Sequence, residues 1–92
     1  MIEVTGLIWD EWNKKHIQRH NVTTEEIEEV CHSQIKTYKT YRGRIEVIGE
    51  TRAGRKLKII LSPEDRNLQQ YEKGFYYPVT AFEEGDINES KE

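Results

Sequence analysis

Residues 33–62 hold three runs of strand-forming side chains, and only two short turns separate them. Arg42 and Gly43 form the first turn; Arg52, Ala53 and Gly54 form the second. Connections this short admit only antiparallel neighbours, because a parallel crossover needs a dozen or more residues. The runs therefore predict a meander. The middle run places Ile45, Val47 and Gly49 on one face, and the third places Leu57, Ile59 and Leu61 on one face with Lys56 and Lys58 on the other. A fourth run, residues 75–82, contains Pro78, which predicts a sheet edge or a bulge because proline has no N–H to give a ladder. Residues 4–8 read as a short first strand.

Two helices are expected between that first strand and the meander. In the second, Thr23 and Glu26 have the spacing of a capping box, and Val22 and Ile27 that of a hydrophobic staple. Ile27, Val30 and Cys31 then form a buried i, i+3, i+4 face. The glutamates between them face water, so the acidic run reads as structural, and Cys31 as an inert core thiol. In the first helix, Asp10 is the expected N-cap and residues 11–19 the body, with Asn21 in the left-handed position that ends a helix. At about 100° per residue, Trp9, Trp12, Asn13, His16, Ile17 and His20 share one side.

The expected fold class is α+β: two N-terminal helices packed on a small antiparallel sheet. Leu, Ile, Val and Phe number 21 of 92 residues, just above the level at which a chain fails to build a core, so a partner or a second copy in a homodimer is expected to complete it. Residues 1–82 form the expected domain, and residues 83–92, acidic and nearly free of apolar groups, a disordered tail. One cysteine excludes an internal disulfide and a cysteine-rich zinc module. No signal peptide or membrane-length apolar run is visible, and the expected compartment is the cytoplasm.

The net charge of −3 hides a basic middle: residues 35–58 carry eight Lys/Arg against two Glu, while residues 23–34 carry four Glu. Such a middle can attract a polyanion, and RNA is the expected partner. Lys15, His16 and Arg19 on the first helix, with Lys36, Lys39, Arg42, Lys56 and Lys58 on the strands, are the candidate RNA contacts. Tyr38, Tyr41, Tyr76 and Tyr77 are candidates either to stack bases or to finish the thin core. RNA cleavage without metal or cofactor needs a base, an acid and a cation, and His, Lys, Arg and Tyr can fill those roles. His16 and His20 stand at i, i+4, a spacing that also suits a shared metal, but no third ligand is selected and no metal is expected.

Trp9 and Asp10, the helix end from Ile17 through Arg19, His20, Asn21 and Val22, and the run Thr23, Glu26, Ile27, Glu28, Glu29 and Val30 together resemble the BrnT toxin family. The likeness continues through residues 43–49 and 51–57, and covers residues 9–61 plus the last strand. It implies a RelE-like ribonuclease fold, metal-independent RNA cleavage that stops translation, and neutralisation by a ribbon-helix-helix antitoxin. By position it assigns a catalytic role to His20, Arg44 and Arg55. The chain departs from the family after Ala81, where an arginine and a basic helix are usual and Phe82, Glu83, Glu84, Gly85 and Asp86 stand instead. The alternative expectation is therefore a non-catalytic RNA- or protein-binding module on the same fold that has lost the nuclease site.

Overall fold

The computed structural model describes residues 2–64, 67 and 69–84. Each helix starts where its cap dictates. In α1, Glu11–Gln18, the Asp10 carboxylate accepts from the Asn13 N–H while the Asn13 side chain accepts from the Asp10 N–H, both at 2.9 Å. In α2, Thr24–His32, Thr23 and Glu26 exchange the same pair of bonds at 3.1 and 3.0 Å. A cap of this kind contributes about 1 kcal/mol. Between the helices, Asn21 takes φ 59 and turns the chain. Val22 and Ile27 are both buried, as a staple requires.

The five strands are β1 (Gly6–Leu7), β2 (Gln34–Lys39), β3 (Ile45–Glu50), β4 (Lys56–Ser62) and β5 (Phe75–Glu83), in the sheet order β1-β5-β4-β3-β2. β2 to β5 form the expected antiparallel meander. The sheet as a whole is mixed, which corrects the expectation of a purely antiparallel one. β1 precedes both helices and pairs parallel with β5, Gly6 opposite Phe75. The two helices of the β1–β5 connection make that parallel pairing possible. Pro78 sits where the β4–β5 register shifts, a bulge as expected.

Ile17, Val22, Ile27, Val30 and Cys31 from the helical segment pack with Val47, Leu57, Ile59, Leu61 and Ala81 from the sheet. Each of the Val, Leu and Ile side chains among them, fully buried, contributes roughly 1.5–3 kcal/mol. α2 meets β3 so closely that a Cβ on Gly49 would lie 2.8 Å from Val30 Cγ1, so no larger residue fits there. Gly54, at φ +89, turns β3 into β4. Asn13 is fully buried, and its amide nitrogen donates to the carbonyls of Ile8 (3.0 Å) and Pro78 (3.1 Å). One side chain thus ties the start of α1 to the exit of β1 and to the β5 bulge, consuming the carbonyls that the irregular backbone leaves over.

β5 runs one residue beyond its expected end, and the Glu84 N–H donates to the Lys56 carbonyl at 2.8 Å, so Glu83 and Glu84 belong to the sheet end and not to a tail. The rest of the expected tail, residues 85–92, lies outside the described residues. Among the described residues, no helix is long and apolar enough to cross a membrane.

Candidate nucleic-acid interface

α1 sorts its side chains into three rows. Asn13 and Ile17 are buried. Trp12, His16 and His20 stand beside them, Trp12 39 % exposed and the histidines half-buried. Lys15 and Arg19 lie on the outer side, exposed. The expected apolar stripe is thus narrower than its periodicity suggested, because a helix with one buried aliphatic residue sinks only one edge into the core. The rings it leaves out pack on one another.

The Trp12 indole and the His16 imidazole are stacked, with centroids 4.9 Å apart and planes 9° apart. His16 meets His20 edge to face at 5.7 Å, and His20 meets Phe82 edge to face at 6.0 Å. The four rings form a continuous ladder that begins at an exposed indole on α1 and ends on a phenyl ring buried in β5. From Phe82 the line continues across the sheet: Phe82 is in register with Lys58, Lys58 with Ile48, and Ile48 with Lys36. Alternation puts these residues, with Lys56, on the face turned away from the core cluster. Lys58 is paired with Glu46 at 3.6 Å. Thr80, two residues before Phe82 and on the same face, is buried, and its hydroxyl has no hydrogen-bond partner among the described residues.

The three residues assigned to catalysis by resemblance do not converge. The Arg55 Nη1 donates to the Asn21 carbonyl and to both carboxylate oxygens of Glu26, each at 2.9 Å, and Nη2 lies 3.6 Å from Glu83. Its side chain is 26 % exposed and that of Glu26 21 %. Arg55 is therefore a clamp joining the turn between the helices, the first turn of α2 and the end of β5. His20 is at the same end of the molecule, on the Phe82 side of β5. Arg44 is at the other end: it precedes Ile45, which pairs with Leu61, whereas Arg55 precedes Lys56, which pairs with Glu50. At about 3.3 Å per residue the two arginines are roughly 20 Å apart.

The candidate RNA contacts divide similarly. Lys15, His16 and Arg19 share the outer rows of α1, and Lys36, Lys56 and Lys58 share a sheet face with Phe82. Lys39 pairs with Ile45 on the opposite face, and Arg42, at φ 62, lies in the short 3-10 turn Tyr41–Gly43. Tyr38 is half exposed on the Lys36 face. Tyr77 is buried, its hydroxyl donating to the Asp10 carboxylate at 2.8 Å, so it is a core residue and cannot stack a base. Burial, aided by the charge of Glu28, pushes the Cys31 thiol up to about 12, which leaves it protonated and inert.

The glutamates of α2 are engaged with the protein itself. Glu26 holds Arg55, Glu28 accepts from the Trp9 indole N–H at 3.3 Å, and Glu29 accepts from the Arg52 backbone N–H at 2.8 Å. Among the described residues, no set of three His, Cys, Asp or Glu is placed to hold a metal ion. The ring ladder is the feature that sequence reasoning missed. Its signal was present, in Trp12, His16 and His20 at i, i+4, i+8, but helical periodicity places those rings only on or beside the side of Ile17 and does not show that they pack on one another. The chain matches no protein-family model, no curated protein and no solved structure.

Proposed function

We propose that this protein binds single-stranded RNA along the outer rows of α1, with the neighbouring sheet face extending the contact. The ladder of four rings flanked by Lys15 and Arg19 is the observation that carries this reading. Single strands are held by aromatic faces that stack successive bases and by cations that follow the backbone, and three of the four rings and both cations lie here on the α1 segment. A duplex buries its base faces and could not use the exposed indole. The proposal includes the role implied by the resemblance to BrnT toxins: RNA-directed arrest of translation, relieved by a ribbon-helix-helix antitoxin.

The test is a titration of full-length protein with a short single-stranded RNA at fixed salt. Trp12→Ala should weaken binding by about 1–3 kcal/mol, the value of one base–aromatic stack. Equal affinity of wild type and variant would reject the α1 surface. For the wider role, expression should arrest growth; normal growth would reject the toxin reading and leave an RNA-binding module.

A further inference from the structure

The sheet ends on β2, and among the described residues no strand lies beyond its outer edge. At the opposite edge β1 has two residues, whereas β2 has six. Two hairpin closures show which way the β2 backbone points. The Thr40 N–H donates to the Arg44 carbonyl at 2.8 Å, and the Thr51 N–H to the Arg55 carbonyl at 2.8 Å. In an antiparallel ladder alternate residues bond to the same neighbour. Lys36 and Tyr38 are therefore spent on Ile48 and Glu46 of β3, and Val47 and Ile45 on β4. The N–H and C=O groups of Thr37 and Lys39 point outward from the sheet. The side chains along this edge are open too. Ile35 is 44 % exposed and Tyr38 50 %, two of the three large apolar side chains exposed among the described residues. Lys36 and Lys39 are exposed, and β2 carries no carboxylate. We propose that the outer edge of β2 receives an extended acidic segment of a partner protein as a further strand, at a surface separate from the α1 rows.

An outward row of N–H and C=O groups is matched by another strand, which brings both donors and acceptors. Phosphates bring acceptors alone and leave the Thr37 and Lys39 carbonyls unmet. The lysines decide the charge of the incoming strand. Lysines and a bulge are the usual guards of an edge, and β2 has both, its register shifting between Gln34 and Lys36. Against a second copy the guard works, because that copy would bring two more lysines to the same seam. Against a strand with carboxylates opposite Lys36 and Lys39 it becomes an attraction. Tyr38, between them, offers its ring to an apolar side chain. Glu46, in register with Tyr38, is held by Lys58 at 3.6 Å and leaves the two lysines to the newcomer. The chain start touches only the first residue of β2: the Gln34 amide accepts from the Ile2 N–H at 3.1 Å and donates to the Ile2 carbonyl at 2.9 Å. Lys36 also belongs to the sheet face that extends the RNA contact, whereas Thr37 and Lys39 are on the other face.

The experiment adds the peptide Val-Glu-Val-Thr-Glu-Val, blocked at both ends, to the isotopically labelled full chain at low salt and without RNA. Lying antiparallel, its glutamates fall opposite Lys39 and Lys36 and its second valine opposite Tyr38. The amide resonances of Thr37 and Lys39 should shift and saturate, while those of Lys15 and Arg19 stay in place. The same peptide with lysine for each glutamate should bind about tenfold more weakly, a gap that narrows as salt is raised. Lys36→Glu and Lys39→Glu together should reverse that preference; both side chains are exposed, so the fold is not at stake. Thr37→Pro removes an outward N–H, leaves the β3 ladder its bonds, and should abolish binding. No saturable shift of the two amides with the acidic peptide overturns the proposal, and so do equal affinities for the two peptides. If the free chain shifts these amides as its own concentration rises, the edge belongs to a second copy and the proposal falls. If single-stranded RNA saturates the same two amides, the edge is a polyanion surface and the proposal falls as well.

Discussion

α1 and α2 are nearly the same length, begin with the same reciprocal cap, and contribute aliphatic residues to the same core, yet they use their polar residues in opposite ways. In α2 three of the four glutamates are bonded to other parts of the chain, holding Arg55, Trp9 and the Arg52 turn. In α1 the corresponding outward residues include three exposed cations, Lys14, Lys15 and Arg19, of which Lys14 lies 3.8 Å from Glu11, and a set of rings stacked along the helix. The contrast teaches that charge density alone is a poor guide to a site. The richest acidic cluster in the chain is consumed by the fold, whereas the weaker basic and aromatic row is left facing outward.

The comparison breaks most visibly at Asn13, the buried member of α1. Asn13→Ala removes three hydrogen bonds and leaves the carbonyls of Ile8 and Pro78 without that partner, so it should cost about 3 kcal/mol in denaturant unfolding. A cost near that of a surface substitution would show that α1 is not anchored as described. Arg55→Met sharpens the other side. It strips Glu26 of a short, largely covered ion pair and should lower stability by about 1–2 kcal/mol while leaving RNA affinity unchanged. If affinity falls and stability does not, Arg55 belongs to the RNA surface and the clamp reading fails. Replacing Lys15 and Arg19 together should flatten the salt dependence of RNA binding, by about 0.7 for each phosphate that is no longer neutralised, whereas replacing Glu25 and Glu28 should leave the slope alone.

A change seen only at alkaline pH concerns Cys31 on the buried side of α2. The folded chain keeps the thiol proton up to about pH 12, while a thiol with the ordinary value of 9.0 releases it earlier on unfolding. The folded state therefore binds more protons in that window, and the stability owed to Cys31 is whole below pH 9.0 and lost as pH rises through about 12. A Cys31→Ala variant, compared with the parent over that range, should lose this part of the alkaline dependence. An identical pH profile would count against burial of the thiol.

Much of the fold was legible because its signals are local. The α2 capping box, the two glycine turns and the alternation of β3 and β4 each lie within a few residues, and the elements follow them within one or two positions. β1 as a parallel partner of β5 was not legible, since Gly6 and Phe75 are far apart in the sequence and no local signal joins them. The site was less legible for the same reason. Arg55 looks like a cation awaiting phosphate until Glu26 and Glu83, distant in sequence, close on it. Tyr77 looks like a stacking ring until its hydroxyl reaches Asp10. Trp12, His16 and His20 share helical spacing with Ile17, and only the position of β5 decides which of them is buried.

The account's central claim is that the outward rows of α1 are an RNA surface. It is tested most directly by recording amide spectra of the isotopically labelled chain as single-stranded RNA is added. Resonances of Trp12, Lys15, His16, Arg19 and His20 should shift together with those of Lys58 and Phe82, while those of Glu25, Glu28 and Arg52 stay in place. Shifts centred on α2 and the Arg52 turn, or no shifts at all, would contradict it.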